Sequence, residues 1–277
     1  MKKLIYLLFI TLVLQTCSEY SKVLKNPDIT EKFRLGTELF ESGKYKKANR
    51  LFAQIVPNYR GKPQAEKLMY MYAKTFYFMG EKIKAEYFSA AYQLERFKDS
   101  YPKSEKAEEA FFLSAKSSYF LSPVYSKDQT DTVEAIEKLQ LFVNQYPNSE
   151  YLAEANQLIK ELDFKLEKKA FEIAKQYNTI SRFKASIKAF NNFLLDFPGA
   201  TLREDALYWR FNSEYNLARL SVEARIEERI ALAEDFYNTL IKAYPETKYL
   251  SEAQQMMEEL NNLPQEILIE EQNTKVE

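Results

Sequence analysis

The chain has 277 residues, enough for one or two compact domains, and carries 39 basic against 40 acidic side chains for a formal charge of −1. This balance lacks the basic excess typical of nucleic-acid-binding proteins, so we expect no nucleic-acid partner. Glycine is sparse, with five residues, whereas tyrosine and phenylalanine contribute 20 each. Together with apolar residues at helical spacing, this composition indicates an all-α protein.

The N-terminus has the pattern of an export signal. Lys2 and Lys3 precede an apolar run at residues 4–14. As a helix this run would span roughly 16 Å, about half of a bilayer core, which is too short for an ordinary membrane span. We therefore predict a signal peptide at residues 1–16.

The end of this signal, Leu14-Gln15-Thr16-Cys17, resembles the lipobox of bacterial lipoproteins. In that family the cysteine becomes the lipidated first residue of the mature chain, which implies lipidation of Cys17. The alternative is an ordinary secretory signal with a leftover cysteine. Ser18 follows, where an aspartate would favour retention in the inner membrane, so we expect an outer-membrane anchor. Residues 17–28 then form a polar segment, predicted to be a flexible tether.

The rest of the chain is organised around five copies of one motif. Each copy centres on a proline, and successive prolines are 45, 45, 51 and 47 residues apart: Pro57, Pro102, Pro147, Pro198 and Pro245. A large apolar residue precedes each proline by five positions: Phe52, Phe97, Phe142, Phe193 and Leu240. An alanine follows by eight positions: Ala65, Ala110, Ala155, Ala206 and Ala253. In the last four copies an acidic residue precedes that alanine: Glu109, Glu154, Asp205 and Glu252.

Each motif reads as the end of one helix, a tight turn and the start of the next. Proline cannot continue the helix before it. Ser104, Ser149 and Thr247 follow their prolines by two residues and are candidates to cap the next helix. In the fourth copy, Thr201 and Glu204 have the spacing of a capping box.

The chain is thus predicted to be a stack of helical hairpins. Residues 35–52 resemble the tetratricopeptide (TPR) consensus in Leu35-Gly36, Leu39, Ala48 and Phe52, although a HEAT-like array also fits the period. We predict a right-handed superhelical solenoid at residues 29–262, with a closing helix at 246–262 and a disordered acidic tail at 263–277. The predicted hairpins occupy residues 29–57, 62–102, 103–147, 148–198 and 199–245.

Catalytic chemistry is not indicated. The chain contains no histidine, which removes the usual general base, the usual zinc ligand and every Ser-His-Asp arrangement. Its five glycines are scattered singly, so no phosphate-binding loop is present. We expect neither an enzyme nor a metal site nor a cofactor.

Binding is the remaining function. In a TPR stack the first helix of each hairpin lines a concave groove, and aromatic residues interleaved with lysines there suit an extended peptide with apolar side chains and a carboxylate. The predicted groove residues are Phe33, Phe40, Tyr70, Lys74, Tyr77, Phe112, Lys116 and Tyr119. Any of these aromatic residues could instead be core between neighbouring hairpins. In the C-terminal part, Trp209 and the charged run containing Arg225 and Arg229 suit a polar-rimmed partner interface.

The chain as a whole resembles the outer-membrane protein assembly factor BamD family, which comprises periplasmic TPR lipoproteins. The segment Asp128-Gln129-Thr130-Asp131, followed by Ala135, Phe142 and the corner at residues 146–151, carries the resemblance best. It implies a non-enzymatic subunit of the machinery that inserts β-barrels. In that family the N-terminal repeats receive C-terminal segments of unfolded barrel proteins and the C-terminal repeats dock on a BamA-type insertase.

Two other functions stay open. One is another periplasmic TPR lipoprotein scaffold that serves cell-envelope processes. The other is a glycan-binding lipoprotein resembling SusD, although that family is much longer and places aromatic residues on loops, whereas Trp209, the single tryptophan, falls in a helical pattern.

Replacing the predicted lipid-bearing residue tests the anchor. We expect Cys17→Ser to release the protein from the outer membrane or to leave an uncleaved precursor, because only the several acyl chains of a bacterial lipoprotein hold stably. Membrane fractionation of wild type and variant measures this. A Cys17→Ser variant that fractionates with the outer membrane as wild type does would contradict the prediction.

Overall fold

A computed structural model describes residues 19–274, with side chains described through residue 264. Within this range the chain is helical and contains no strand, which confirms the predicted all-α class. The helices are α1 (Ile29–Glu41), α2 (Tyr45–Tyr59), α3 (Ala65–Gly80), α4 (Glu86–Ser100), α5 (Ala107–Leu121), α6 (Thr130–Gln145), α7 (Leu152–Thr179), α8 (Phe183–Asp196), α9 (Arg203–Arg219), α10 (Ile226–Ala243) and α11 (Leu250–Thr274). A short 3₁₀ helix at Glu223–Arg225 precedes α10.

The helices belong to two compact units, and the division falls inside α7. The first unit runs to Pro123 and includes Lys127–Leu162, and the second comprises Val124–Ser126 and the chain from Asp163 onward. In the first unit each helix from α1 to α6 packs on the next, and α1, α3 and α5 also contact one another in that order. In the second unit α8 to α11 pack consecutively and α9 also contacts α11. Contact between successive first helices is the packing expected of stacked helical repeats.

The motif positions form the core of both units. All five alanines are buried, and so are the five large apolar residues that precede the prolines. Phe52 shares one core cluster with Ala65, Phe193 shares a second with Ala206, and Leu240 shares a third with Ala253. At these three corners the repeated spacing therefore places both motif residues in one core cluster.

Close helix crossing explains the glycine of the first hairpin. A Cβ atom added to Gly36 would lie 2.5 Å from Cε1 of Phe52. Phe52 is fully buried and has little room to move away. The TPR-like small residue at this position thus permits α1 and α2 to approach.

The prolines end helices at four of the five corners. Helices α4, α6, α8 and α10 each stop two residues before their proline. At the first corner, Pro57 instead lies inside α2, which continues to Tyr59. Tyr59 is buried and stacks on Phe33 with ring centroids 5.3 Å apart. This packing stabilises the last turn of α2, around Pro57. Because proline has no N–H, that turn has one backbone hydrogen bond fewer.

Three residues predicted to cap the next helix accept hydrogen bonds within the corner turn, three residues before α5, α7 and α11 begin. The hydroxyls of Ser104, Ser149 and Thr247 each accept from the backbone N–H two residues later. The N-cap of α5 is Lys106, which makes no side-chain capping bond, so the cap predicted at Ser104 is wrong. The capping box predicted for Thr201 and Glu204 is wrong. Thr201 donates to the buried Glu167 of α7 at 2.8 Å, and Glu204 accepts from Thr247 at 2.6 Å.

Both ends of the described chain differ from the prediction. Residues 19–25 are helical rather than a flexible tether, because Val23 is buried in the core of the first hairpin. Helix α11 continues through Pro264 to Thr274, whereas we predicted disorder from residue 263. The glutamates, glutamines and leucines of this segment favour a helix and extend the pattern of the residues before it.

Cys17, the signal peptide and residues 275–277 lie outside the described residues. None of the described helices is long and apolar enough to cross a membrane.

Overfilling a corner should destabilise the fold. We expect Ala155→Leu to lower the free energy of unfolding by about 1–3 kcal/mol, because the added carbons have no space in a packed core. Ala153→Leu is the matched control, since Ala153 lies exposed two residues away on the same corner. Denaturant titration of both variants measures the effect, and equal stability of the two would show that Ala155 does not face the core.

Candidate functional site

The eight predicted groove residues lie on three helices of the first unit that contact one another. Phe33 and Phe40 are on α1, Tyr70, Lys74 and Tyr77 are on α3, and Phe112, Lys116 and Tyr119 are on α5. The structure thus brings them onto successive first helices. Their exposure differs widely, and this decides which of them a ligand can reach.

Two of the eight belong to the core. Phe112 is 1% exposed and stacks on Tyr151 with ring centroids 4.6 Å apart. Tyr77 is 8% exposed and meets Tyr87 edge to face. A peptide cannot contact Phe112 in this conformation, so its assignment to a groove surface is corrected to core packing. The helical spacing of aromatic residues could not separate these two roles.

The two aromatic residues of α1 are half-buried. Phe33 stacks on Tyr59, and Phe40 lies 5.6 Å from the ring of Tyr45 and 6.1 Å from that of Phe78. Both pack against the core of the first hairpin.

Tyr70 and Lys74 converge on Glu109, the acid that precedes the corner alanine on α5. The Tyr70 hydroxyl donates to one carboxylate oxygen, and Lys74 Nζ donates to the other at 2.7 Å. Burial opposes the charge of Glu109, but these two hydrogen bonds outweigh it and hold its pKa below the ordinary value. Burial, and then the Glu109 carboxylate, raise the pKa of Tyr70. This cluster is a neutralised link between α3 and α5.

Lys116 and Tyr119 repeat the arrangement one hairpin later. Lys116 Nζ donates to Glu154 at 2.6 Å, and the Tyr119 hydroxyl donates to Glu161 at 2.6 Å. The hydrogen bond to Glu161, with burial, raises the pKa of Tyr119 to about 12. The lysines that the sequence offers to a ligand carboxylate are therefore paired within the chain.

An accessible cavity lies beside this network. It has a volume of about 430 Å³ and is lined by Pro63, Glu66, Lys67, Tyr70, Met71, Phe97 and Lys106. Lys67 and Lys106 are exposed. Lys106 Nζ lies 6.0 Å from the Tyr70 ring centroid and 3.9 Å from Glu109. The sequence did not single out Lys106, although its position one helical turn before Glu109 would have placed it on the same face.

The predicted C-terminal interface residues separate into inner and outer positions. Arg229 points inward, because it forms an ion pair at 3.1 Å with Glu214, whose side chain is 2% exposed. Burial raises the pKa of Glu214 despite this partner. Arg229 is thus corrected to an internal role, since contact with a partner would require breaking its ion pair with Glu214.

Trp209 is half-buried, with Lys175 Nζ 4.6 Å from its ring centroid.

Arg225 remains exposed on the 3₁₀ helix. The loop just before it presents two large apolar residues that the sequence analysis missed. Leu220 is 74% exposed and Val222 is 71% exposed. Apolar side chains this accessible, next to an exposed arginine, suit a protein partner.

The Glu109 cluster should give stability that depends on pH. Because the folded-state pKa of Glu109 is lowered, its contribution is present above the ordinary glutamate pKa and is lost as pH falls through the lowered value. We expect Glu109→Gln to reduce the free energy of unfolding by on the order of 1–2 kcal/mol at neutral pH and to match wild type at a pH below both values.

Denaturant titration at the two pH values measures this difference. Glu105→Gln is the matched control, because Glu105 is exposed on the same corner and has no ion pair among the described residues. A deficit of Glu109→Gln that is the same at both pH values would contradict the electrostatic assignment.

Comparison with known proteins adds family membership to this geometry. No curated protein matches the chain. A family model described as "outer membrane lipoprotein" (YfiO) matches residues 26–230, which is well over half of the sequence and includes residues of both compact units. The chain therefore belongs to the YfiO family of outer membrane lipoproteins.

Proposed function

We propose that the chain is a non-catalytic scaffold subunit of the outer-membrane β-barrel assembly complex, anchored by lipid at Cys17 and facing the periplasm. The observation that carries the proposal is membership in an outer membrane lipoprotein family over residues 26–230. The resemblance to the BamD family and the absence of histidine from the sequence support the same assignment.

In this proposal the cavity beside Tyr70 receives the C-terminal segment of an unfolded barrel protein. Tyr70, Met71 and Phe97 supply an apolar wall for a terminal aromatic side chain. Lys67 and Lys106 stand at the same cavity and can pair with the terminal carboxylate. An apolar wall with two cations at one side matches a peptide end that carries both features.

Lys67 and Lys106 are better candidates for this pairing than Lys74 and Lys116. Lys74 and Lys116 each already donate to a glutamate at under 3 Å. A ligand carboxylate would have to displace those glutamates, and the largely buried Glu109 would then keep an unpaired charge. Lys67 forms no ion pair in the described part of the chain, and Lys106 reaches only the outer limit of one.

The second partner, a BamA-type insertase, is assigned to the loop before α10. Leu220 and Val222 offer an apolar contact and Arg225 a rim charge. This combination of an apolar centre with a polar rim is typical of protein interfaces. Separate compact units let the two partners be tested independently.

Matched variants at the two surfaces should separate the two partners. We expect Lys67→Glu combined with Lys106→Glu to weaken binding of a synthetic peptide ending in phenylalanine by about 5–30-fold, because two attractive charges become repulsive. Co-purification of the insertase with this variant should be unchanged.

Leu220→Asp combined with Val222→Asp should abolish co-purification of the insertase and leave peptide binding unchanged. Fluorescence anisotropy with labelled peptide and affinity co-purification measure the two effects.

Lys103→Glu is the charge control for the first pair, because Lys103 is exposed near the same corner but does not line the cavity. A peptide with an amidated C-terminus should bind wild type more weakly than the free acid does, and the lysine substitutions should weaken its binding less than they weaken binding of the free acid. If the lysine variants lose the insertase and keep the peptide, the two surfaces are assigned the wrong way round. Co-purification with a sugar transporter or with division proteins instead would overturn the proposed complex.

A further inference from the structure

A second open cavity lies at the turn between α1 and α2, where the end of α3 approaches. Its volume is about 610 Å³, larger than that of the cavity beside Tyr70. Five cations line it: Lys44, Lys46, Lys47, Arg50 and Lys82. Glu86 is the one carboxylate among its lining residues. Gly43, with a backbone φ of +72°, makes the tight turn that begins this rim.

These cations are not neutralised within the chain. No ion pair of the described residues joins any of the five to a carboxylate. This differs from the neighbouring surface of α3 and α5, where Lys74 and Lys116 are both paired. Five cations beside the single carboxylate of Glu86 leave an excess of positive charge in the cavity lining, so an anion that binds among them is favoured.

The cavity also has an apolar floor. It is formed by Tyr45, Phe76, Phe78, Met79 and Ile83. Tyr45 and Phe78 stack with centroids 4.3 Å apart, and Ile83 is 51% exposed. The site therefore offers cations at its rim and hydrocarbon below them, which suits an amphiphilic anion better than a free inorganic ion.

The helical segment 19–25 connects this cavity to the predicted anchor. Lys47 Nζ lies 5.1 Å from the ring centroid of Tyr20, and Arg34 pairs with Glu19 at 3.2 Å. Cys17 precedes Tyr20 by three residues, which span at most about 10 Å. An acyl chain on Cys17 would bring the membrane surface to the same hairpin.

We propose that this basic cavity binds the phosphate-bearing headgroup of an anionic membrane lipid, with the phosphate among Lys46, Lys47 and Arg50 and the glycerol and upper acyl carbons on the apolar floor. The position of the site rests on the proposed lipid anchor at Cys17. It adds a second, electrostatic attachment, which orients the first hairpin on the bilayer, and it is separate from the proposed peptide and insertase surfaces.

Vesicle co-flotation tests the site without a contribution from the acyl anchor. The mature chain, expressed from residue 17 without the predicted signal peptide and carrying Cys17→Ser, is mixed with vesicles of phosphatidylcholine or of an equimolar mixture with phosphatidylglycerol. We expect binding to the mixed vesicles only. Adding Lys46→Gln, Lys47→Gln and Arg50→Gln should reduce the partition coefficient by about fivefold for each cation removed. Lys160→Gln, Lys188→Gln and Lys242→Gln form the charge-matched control, since all three are exposed outside the cavity.

The outcomes distinguish the possible ligands. Loss in the cavity variant with retention in the control supports the proposal. Equal loss in both variants shows a diffuse charge effect and overturns it, as does equal binding to the two vesicle types. Competition by inorganic phosphate or by a soluble acidic peptide at matched ionic strength, which displaces both wild type and the control from the mixed vesicles, would assign the cavity to those ligands instead. Because none of these measurements uses the insertase or a client, a failure here leaves the proposed complex untouched.

Discussion

The structure depends on the burial of one small residue and one large residue at each corner. The alanine eight residues after each proline is buried, and so is the phenylalanine or leucine five residues before the proline. The alanine side chain is small enough for the backbone of the following helix to approach. The phenylalanine or leucine side chain fills the remaining space. Each hairpin can bury its apolar face only when its neighbour supplies the complementary half.

In the last four copies of the motif, the acid beside that alanine adds a polar link. Glu109 accepts from Tyr70 and Lys74, and Glu154 accepts from Lys116, so each acid reaches back to the preceding first helix. In the second unit the same position reaches a partner of the adjacent repeat. Asp205 pairs with Lys248 at 2.8 Å, and Glu252 with burial raises the pKa of Tyr208. The repeated motif thus carries an apolar contact and a charge-assisted one side by side.

The sequence predicted the helical class and the buried motif positions because both depend on local periodicity. It could not predict which side chains pair, since Tyr70 lies 39 residues from Glu109 and Tyr119 lies 42 residues from Glu161. For the same reason Phe112 and Tyr77 were placed on a groove surface, and Arg229 at an interface. Pro57 shows the reverse case, in which tertiary packing of Tyr59 outweighs a local helix-ending rule.

Internal pairing decides where this chain can bind anything charged. The lysines on successive first helices would form a continuous basic groove if the acids were absent, but each acid removes one cation from availability and converts it into a link between repeats. Among the described residues, the cations without an ion pair include Lys67 beside Tyr70 and those around the turn that follows Gly43. A substitution that removes a linking acid should therefore leave its lysine unpaired at the same time as it weakens the contact between neighbouring repeats.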